Sequence, residues 1–229
     1  MSKNSNWYAF QNFIKTNFPD SNLHPTESFI SHTNHLRFEL GDGFENGTIK
    51  RVDHCVKKAV KIFESVFNDE DEVYILINSF KHDGGGEFYK PTNGYLEAQF
   101  SYFDEIIKDE NIVITSETDE FYDIQKEISE IMTITTHHIQ KIFRVDLASV
   151  NYINILRGTA NLEMGLSPAI SDNIYFINKS KKIVFYMYDD RGCMVYSSDI
   201  ESIRFLYDNL YEWLVEYHIE TFDHLFRRK

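Results

Sequence analysis

Proline and glycine are scarce in this 229-residue chain, four and ten residues respectively, which argues against long linkers and low-complexity tails. No stretch approaches the roughly 20 apolar residues that a membrane helix needs. The N-terminus, Met1 to Asn6, is polar and no signal-type apolar segment follows it. Cysteine is nearly absent too. Cys55 and Cys193 lie far apart and form no C-x-x-C pair, so they read as small, partly buried thiols in a reducing compartment. These absences lead us to expect a soluble, cytoplasmic protein.

Basic residues are also short, 23 Lys and Arg against 36 Asp and Glu, for a net charge of −13. The excess lies in residues 1–120, which hold 21 acids and 11 bases. It is densest in the run DEDE at 69–72 and between Asp104 and Asp123. Such a surface repels phosphate backbones and anionic membranes, which argues against nucleic-acid binding through a basic groove and against membrane attachment. It leaves room for a basic protein partner, with plain solubility as the alternative.

What the chain does have is aromatic residues, 15% of the total, including 19 Phe and 14 Tyr. With 42% apolar and 26% charged residues the composition is that of an ordinary globular protein. The length suits one large α+β domain or two lobes sharing a core, an acidic one over 1–120 and a second over 121–229. No internal repeat is visible.

Trp7, Phe10, Ile14 and Phe18 recur every three or four residues and predict an N-terminal helix over 5–18. HLRFELG alternates, with Leu36, Phe38 and Leu40 on one side and Arg37 and Glu39 on the other, as a half-buried strand does. Residues 48–67 predict a helix with Ile49, Val52, Val56, Ala59, Val60, Phe63, Val66 and Phe67 in one stripe. Lys50, Lys57, Lys58 and Lys61 fall opposite. VYILINSF, 73–80, is a second, buried strand.

The middle of the chain is less regular. A loop is expected over 81–94 and a helix over 95–107; 111–116, 121–128 and 130–139 read as strands. Asp146 is a candidate cap for a helix over 147–161. From Asn173 onward NIYFI, KIVFYMY and CMVYS form a β-meander with turns at 178–181 and 189–192. Ser198-x-x-Glu201 has the spacing of a capping box. Ile203, Leu206, Tyr207, Leu210, Trp213, Leu214 and Tyr217 then predict one long helix. The fold class is α+β, a mostly antiparallel sheet packed by amphipathic helices.

Few residue groups suggest chemistry. Asp189-Asp190-Arg191-Gly192 places two carboxylates beside a guanidinium, a pattern able to hold an ion or ligand. It also has the residues that a tight turn prefers. The glycines of His82-Asp83-Gly84-Gly85-Gly86-Glu87 lack the Lys and Ser/Thr of a phosphate loop. Nine histidines include the pairs His32/His35 and His137/His138, and His218, Glu220, Asp223 and His224 cluster near the C-terminus, all without a metal-ligand spacing. His54 and Cys55, neighbours on a helix, point about 100° apart and do not form a nucleophile–base pair. No metal and no cofactor is expected.

HLRFELG, KRVDHCVKKAVKIFESVF, EVYILINSF and IYFIN…MYDDRGCMVY followed by LYDNLYEWLVEY together resemble domain-of-unknown-function family 3885. RFELG and YDDRG are the most specific strings; residues 82–145 contribute little. The resemblance implies a compact α+β domain in a bacterial cytoplasm. It brings no known reaction and no catalytic residue. If such a family has a ligand site, the positions to examine are Arg37, Glu39, Asp189, Asp190 and Arg191.

Two classes of function remain. One is a non-enzymatic binding or regulatory module, including an immunity-type protein whose acidic face masks a basic toxin or nuclease. The other is an enzyme or small-ligand binder around the DDRG turn, which requires Arg37, Asp189 and Arg191 to meet at one cleft. Exposed aromatics such as Trp213 and Tyr217 also suit a homo-oligomer.

Overall fold

The computed structural model describes residues 6–25, 28–29, 31–82, 91–103, 112–122 and 131–227. The N-terminal periodicity produces α1 (Asn6–Asn17), which buries Trp7, Phe10 and Ile14. β1 (His35–Glu39) alternates as its sequence does, with Leu36 and Phe38 buried and His35, Arg37 and Glu39 half-buried on the other side.

α2 (Ile49–Val66) begins where the Thr48 hydroxyl accepts the Arg51 N–H, one of the donors a helix start leaves free. Its buried face differs slightly from the expected stripe. Ile49 is 64% exposed, whereas Cys55, Ile62 and even Lys58 are buried. Lys58 is accommodated because its ammonium reaches Asp42 at 2.7 Å and lies 5.0 Å from the centre of the Trp213 ring.

The remaining strands are β2 (Glu72–His82), β3 (Ile112–Tyr122), β4 (Ile131–Asp146), β5 (Asn173–Asn178), β6 (Ile183–Asp189) and β7 (Gly192–Ser197). Among the described residues they make one seven-stranded sheet in the order β1-β7-β6-β5-β2-β4-β3, antiparallel throughout. Strands from both halves of the chain interleave in it: β1 pairs with β7, and β2 lies between β5 and β4. β3 runs from the strand expected over 111–116 into the first residues of the one expected over 121–128, since residues 112–122 pair continuously with 131–141 of β4; residues 123–130 lie outside the described residues. Residues 83–90, and with them the Gly84–Gly86 run, lie outside the described residues.

α3 (Tyr152–Glu163) starts later than expected. Its cap is Asn151, whose side chain accepts the Asn154 N–H, while Asp146 ends β4 and caps nothing with its side chain. Gly158 sits inside this helix for a packing reason: a Cβ there would meet Ile170 at 2.7 Å and Tyr95 at 3.1 Å.

The expected long helix after the meander is instead broken. A 3₁₀ turn over Ile200–Ile203 leads into α4 (Arg204–Asn209), two more 3₁₀ turns follow, and α5 (Ile219–Arg227) closes the described chain. The cap is Asp199 rather than Ser198: the Asp199 carboxylate accepts the Glu201 N–H at 3.1 Å. The break has a tertiary cause. Leu214 is extended and bridges to Phe38, and the Val215 N–H donates to the Arg37 carbonyl at 3.0 Å. The segment thus satisfies part of the open edge of β1, which a continuous helix would leave unpaired. Ile203, Leu206, Tyr207, Leu210 and Leu214 are nevertheless buried, as their spacing predicts.

The sheet has two unlike faces. Beneath α2, α3 and the C-terminal helices, Phe38, Phe143, Phe176 and Phe185 of the sheet meet Phe63 of α2 in a continuous apolar core. On the other face α1 and the segment around Phe18 and Phe29 cover Tyr74, Leu76, Ile142, Tyr175, Ile177, Val184 and Tyr196. The covering segment is tied to the sheet by polar bonds. Asn78 donates to the Pro25 carbonyl and the Ser28 hydroxyl, Gln140 donates to the Leu23 carbonyl, and His32 bonds the Ser197 carbonyl. Phe29 is fully buried at a φ of 63°, a conformation that a bulky residue adopts only where its surroundings hold it.

Candidate functional site

On this second face the cover is incomplete over β1, β7 and β6. The register places Arg37 beside Met194, Met194 beside Tyr186, and Tyr186 beside Tyr175, so one row of side chains crosses four strands. These residues, with Glu39, Tyr188, Tyr196, Arg191, Ser28 and Val215, line a cavity of about 470 Å³.

Two backbone features shape it. The pairing of β6 with β7 is irregular between Met187 and Asp189, a bulge that re-aims Tyr188. Gly192 lies opposite Glu39 and has no side chain to fill the space. A Cβ there would collide with the Tyr188 hydroxyl and lie 2.6 Å from the Phe38 carbonyl oxygen. Tyr188 therefore leans across Gly192, where its hydroxyl accepts a hydrogen bond from Arg37 Nε at 3.1 Å. The Arg37 guanidinium stands 5.1 Å from the centre of the same ring.

The five sequence candidates fall into three groups. Arg37, Glu39 and Arg191 converge on the cavity. Asp189 stands behind Arg191: one oxygen accepts the Arg191 backbone N–H at 2.7 Å, and the other accepts its Nε–H and a terminal N–H. This pairing raises the Arg191 guanidinium still further above its ordinary pKa, and Glu163 adds a second carboxylate 3.7 Å away.

Asp190 is fully buried and belongs to another assembly. Its carboxylate pairs with Arg51, which also donates to the carbonyls of Gly41 and Phe44. The Cys55 thiol donates to the Asp190 carbonyl at 2.6 Å. Adjacent aspartates thus point apart, one toward the cavity side and one toward α2.

The tyrosines are what sequence reasoning missed. Tyr175, Tyr186, Tyr188 and Tyr196 lie in the strands of the meander, and no sequence motif marks such a set. Burial pushes the Tyr186 phenol up to about 12 and raises Tyr175, Tyr188 and Tyr196 as well. At neutral pH they are uncharged walls with hydroxyls able to donate and accept. Tyr175 and Tyr186 stack at 4.2 Å, and Tyr186 donates to Asn173 at 2.9 Å. Among the described residues, no histidine or cysteine lines the cavity.

Other sequence candidates lie elsewhere. Both cysteines are free and buried; burial pushes the Cys55 thiol up to about 12 and raises Cys193 further. His54 lies 3.6 Å from Asp42 and against the Phe44 ring, away from the Cys55 bond to Asp190. Half of the acidic run at 69–72 is engaged within the chain. Asp71 accepts from Lys181 at 2.9 Å and Asn178 at 2.7 Å, and Glu72 pairs with Arg144 and Lys179. Much of the segment from Asp104 to Asp123 lies outside the described residues. Trp213 is half-buried under Lys58 and Lys61, whereas Tyr217 is 90% exposed. Among the described residues no helix is long and apolar enough to cross a membrane.

Comparison with known proteins gives a family without an assigned activity. The chain is similar to the uncharacterized protein YnaE of Bacillus subtilis, 23% identical over 174 residues that cover 68% of this chain and 71% of that protein. No solved structure matches it. The model of the family described as a domain of unknown function (DUF3885) matches residues 10–218. With that much of its length matched, the chain belongs to the DUF3885 family.

Proposed function

We propose that this protein is a binding module whose cavity over β1, β7 and β6 takes a small ligand bearing an anionic group. The observation that carries the reading is Arg37. Its guanidinium is half-buried, lines the cavity, and has no carboxylate within 4.0 Å among the described residues. In a chain of net charge −13, a cation left without an anion beside aromatic walls is a natural partner for a carboxylate or phosphate. The cavity volume of about 470 Å³ suits a small molecule. Its titratable groups are guanidiniums, one carboxylate and neutral phenols, a set better fitted to holding a ligand than to nucleophilic catalysis.

The test is a titration of the full chain with benzoate, a planar acid, followed by amide NMR shifts and calorimetry. Benzoate is expected to perturb β1, β6 and β7 and to bind at least roughly 10-fold more weakly to Arg37→Gln, because a charge-assisted hydrogen bond is lost. Absence of binding, or binding indifferent to Arg37, overturns the proposal.

Masking of a basic protein, as an immunity protein would do, is the second reading. It rests on the net charge, and the pairing of Asp71 and Glu72 within the chain withdraws two acids from any such face. A complex with a basic protein that dissociates as salt rises would favour it over the ligand cavity.

A further inference from the structure

The cavity holds a second unused charge. Arg37 engages Tyr188 through Nε, and its two terminal nitrogens have no hydrogen-bond partner among the described residues. Glu39 lies two residues further on the same side of β1, half-buried and lining the same cavity. Among the described residues its carboxylate has neither an ion pair nor a hydrogen bond. The two backbone positions are roughly 6–7 Å apart along the strand. Opposite charges so placed commonly pair, and here they stay more than 4.0 Å apart.

Arg191 is the weaker candidate for an anion because Asp189 already accepts from its Nε and one terminal nitrogen. The uncompensated charges facing the cavity are therefore one cation, Arg37, and one anion, Glu39. Leaving two half-buried charges unsatisfied costs free energy that a ligand of complementary charge would recover.

We infer that the ligand is a zwitterion of dipeptide size, its carboxylate on the terminal nitrogens of Arg37 and its ammonium on Glu39. An apolar or aromatic body then lies against Tyr186, Tyr188 and Met194. The inference rests on the reading of this cavity as a ligand site and adds the second charge to it.

The full chain is titrated calorimetrically with glycyl-phenylalanine, its N-acetyl derivative and its C-terminal amide, with benzoate run alongside. The free dipeptide is expected to bind most tightly. Acetylation or amidation should each weaken binding roughly 10-fold, since each removes one charge-assisted contact. In Glu39→Gln the free and acetylated forms should bind alike. Equal binding of free and acetylated peptide to the unaltered chain, with dependence on Arg37 retained, overturns the zwitterion and leaves the anion cavity standing. So does binding of benzoate without any of the peptides. Failure of all four probes overturns both. Because the decisive contrast is between ligands on the unaltered protein, it does not depend on a variant folding.

Discussion

Under α2 and α3, Phe38, Phe176 and Phe185 are sealed in a continuous core; on the opposite face, Tyr175, Tyr186, Tyr188 and Tyr196 line a cavity that α1 leaves open. Both surfaces arise from the same strands, whose alternate residues face opposite ways. The difference lies in one atom. Phenylalanine asks only for contact, whereas each tyrosine brings a hydroxyl that must find a partner or water. On the tyrosine face those partners are Asn173 for Tyr186 and Arg37 for Tyr188. The DDRG turn repeats the contrast at single-residue scale, Asp190 serving the sealed side and Asp189 the open one.

The comparison predicts that changes on the sealed side cost stability and changes on the open side cost binding. The largest effect is expected for Asp190→Ala, which leaves the half-buried Arg51 without its carboxylate. The loss should be on the order of 3 kcal/mol in urea denaturation, and a value near zero would break the distinction between the two aspartates. Next comes Gly192→Ala, whose Cβ must displace the Tyr188 ring. It should cost about 1–3 kcal/mol and shift the amide resonances of β1 and β6; an unperturbed cavity would show that Gly192 does not shape it.

Lys181→Ala tests the acidic run through pH. Burial works to raise the Asp71 pKa, but bonds from Lys181, the Asn68 N–H and Asn178 outweigh it and hold it below the usual value. A depressed folded-state pKa gives stability that is present above the unfolded pKa and is lost as pH falls through the folded one. The stability difference between the native chain and Lys181→Ala should therefore shrink below about pH 4. A difference constant from pH 7 to pH 3 would argue that the pair contributes little. The smallest effect on stability belongs to Arg37→Gln, within about 1 kcal/mol because it removes one hydrogen bond and a ring contact. Its effect should instead be seen in ligand affinity.

Local patterns made most elements legible. Alternation located β1 and the meander, and the three-to-four spacing located α1, α2 and the buried positions of the C-terminal segment. The caps at Asn151 and Asp199 were missed because several residues near a helix start can serve, and the incoming chain path selects among them. The break at Leu214 was missed because it answers the unpaired edge of β1, a demand made by a strand some 175 residues earlier. Of the site, Arg37, Glu39 and Arg191 were visible as charged strand and turn residues. Tyr175, Tyr186 and Tyr196 were not, since aromatic residues in strands ordinarily signify packing.

The sequence by itself determined the α+β class, the β-meander with its DDRG turn, and the apolar side of β1, because these follow from periodicity and turn chemistry within a few residues. Tertiary structure decided the strand order, the splitting of the C-terminal helix, and the division of labour between Asp189 and Asp190. Those depend on which edge, helix and face meet in space, and no local pattern encodes that meeting.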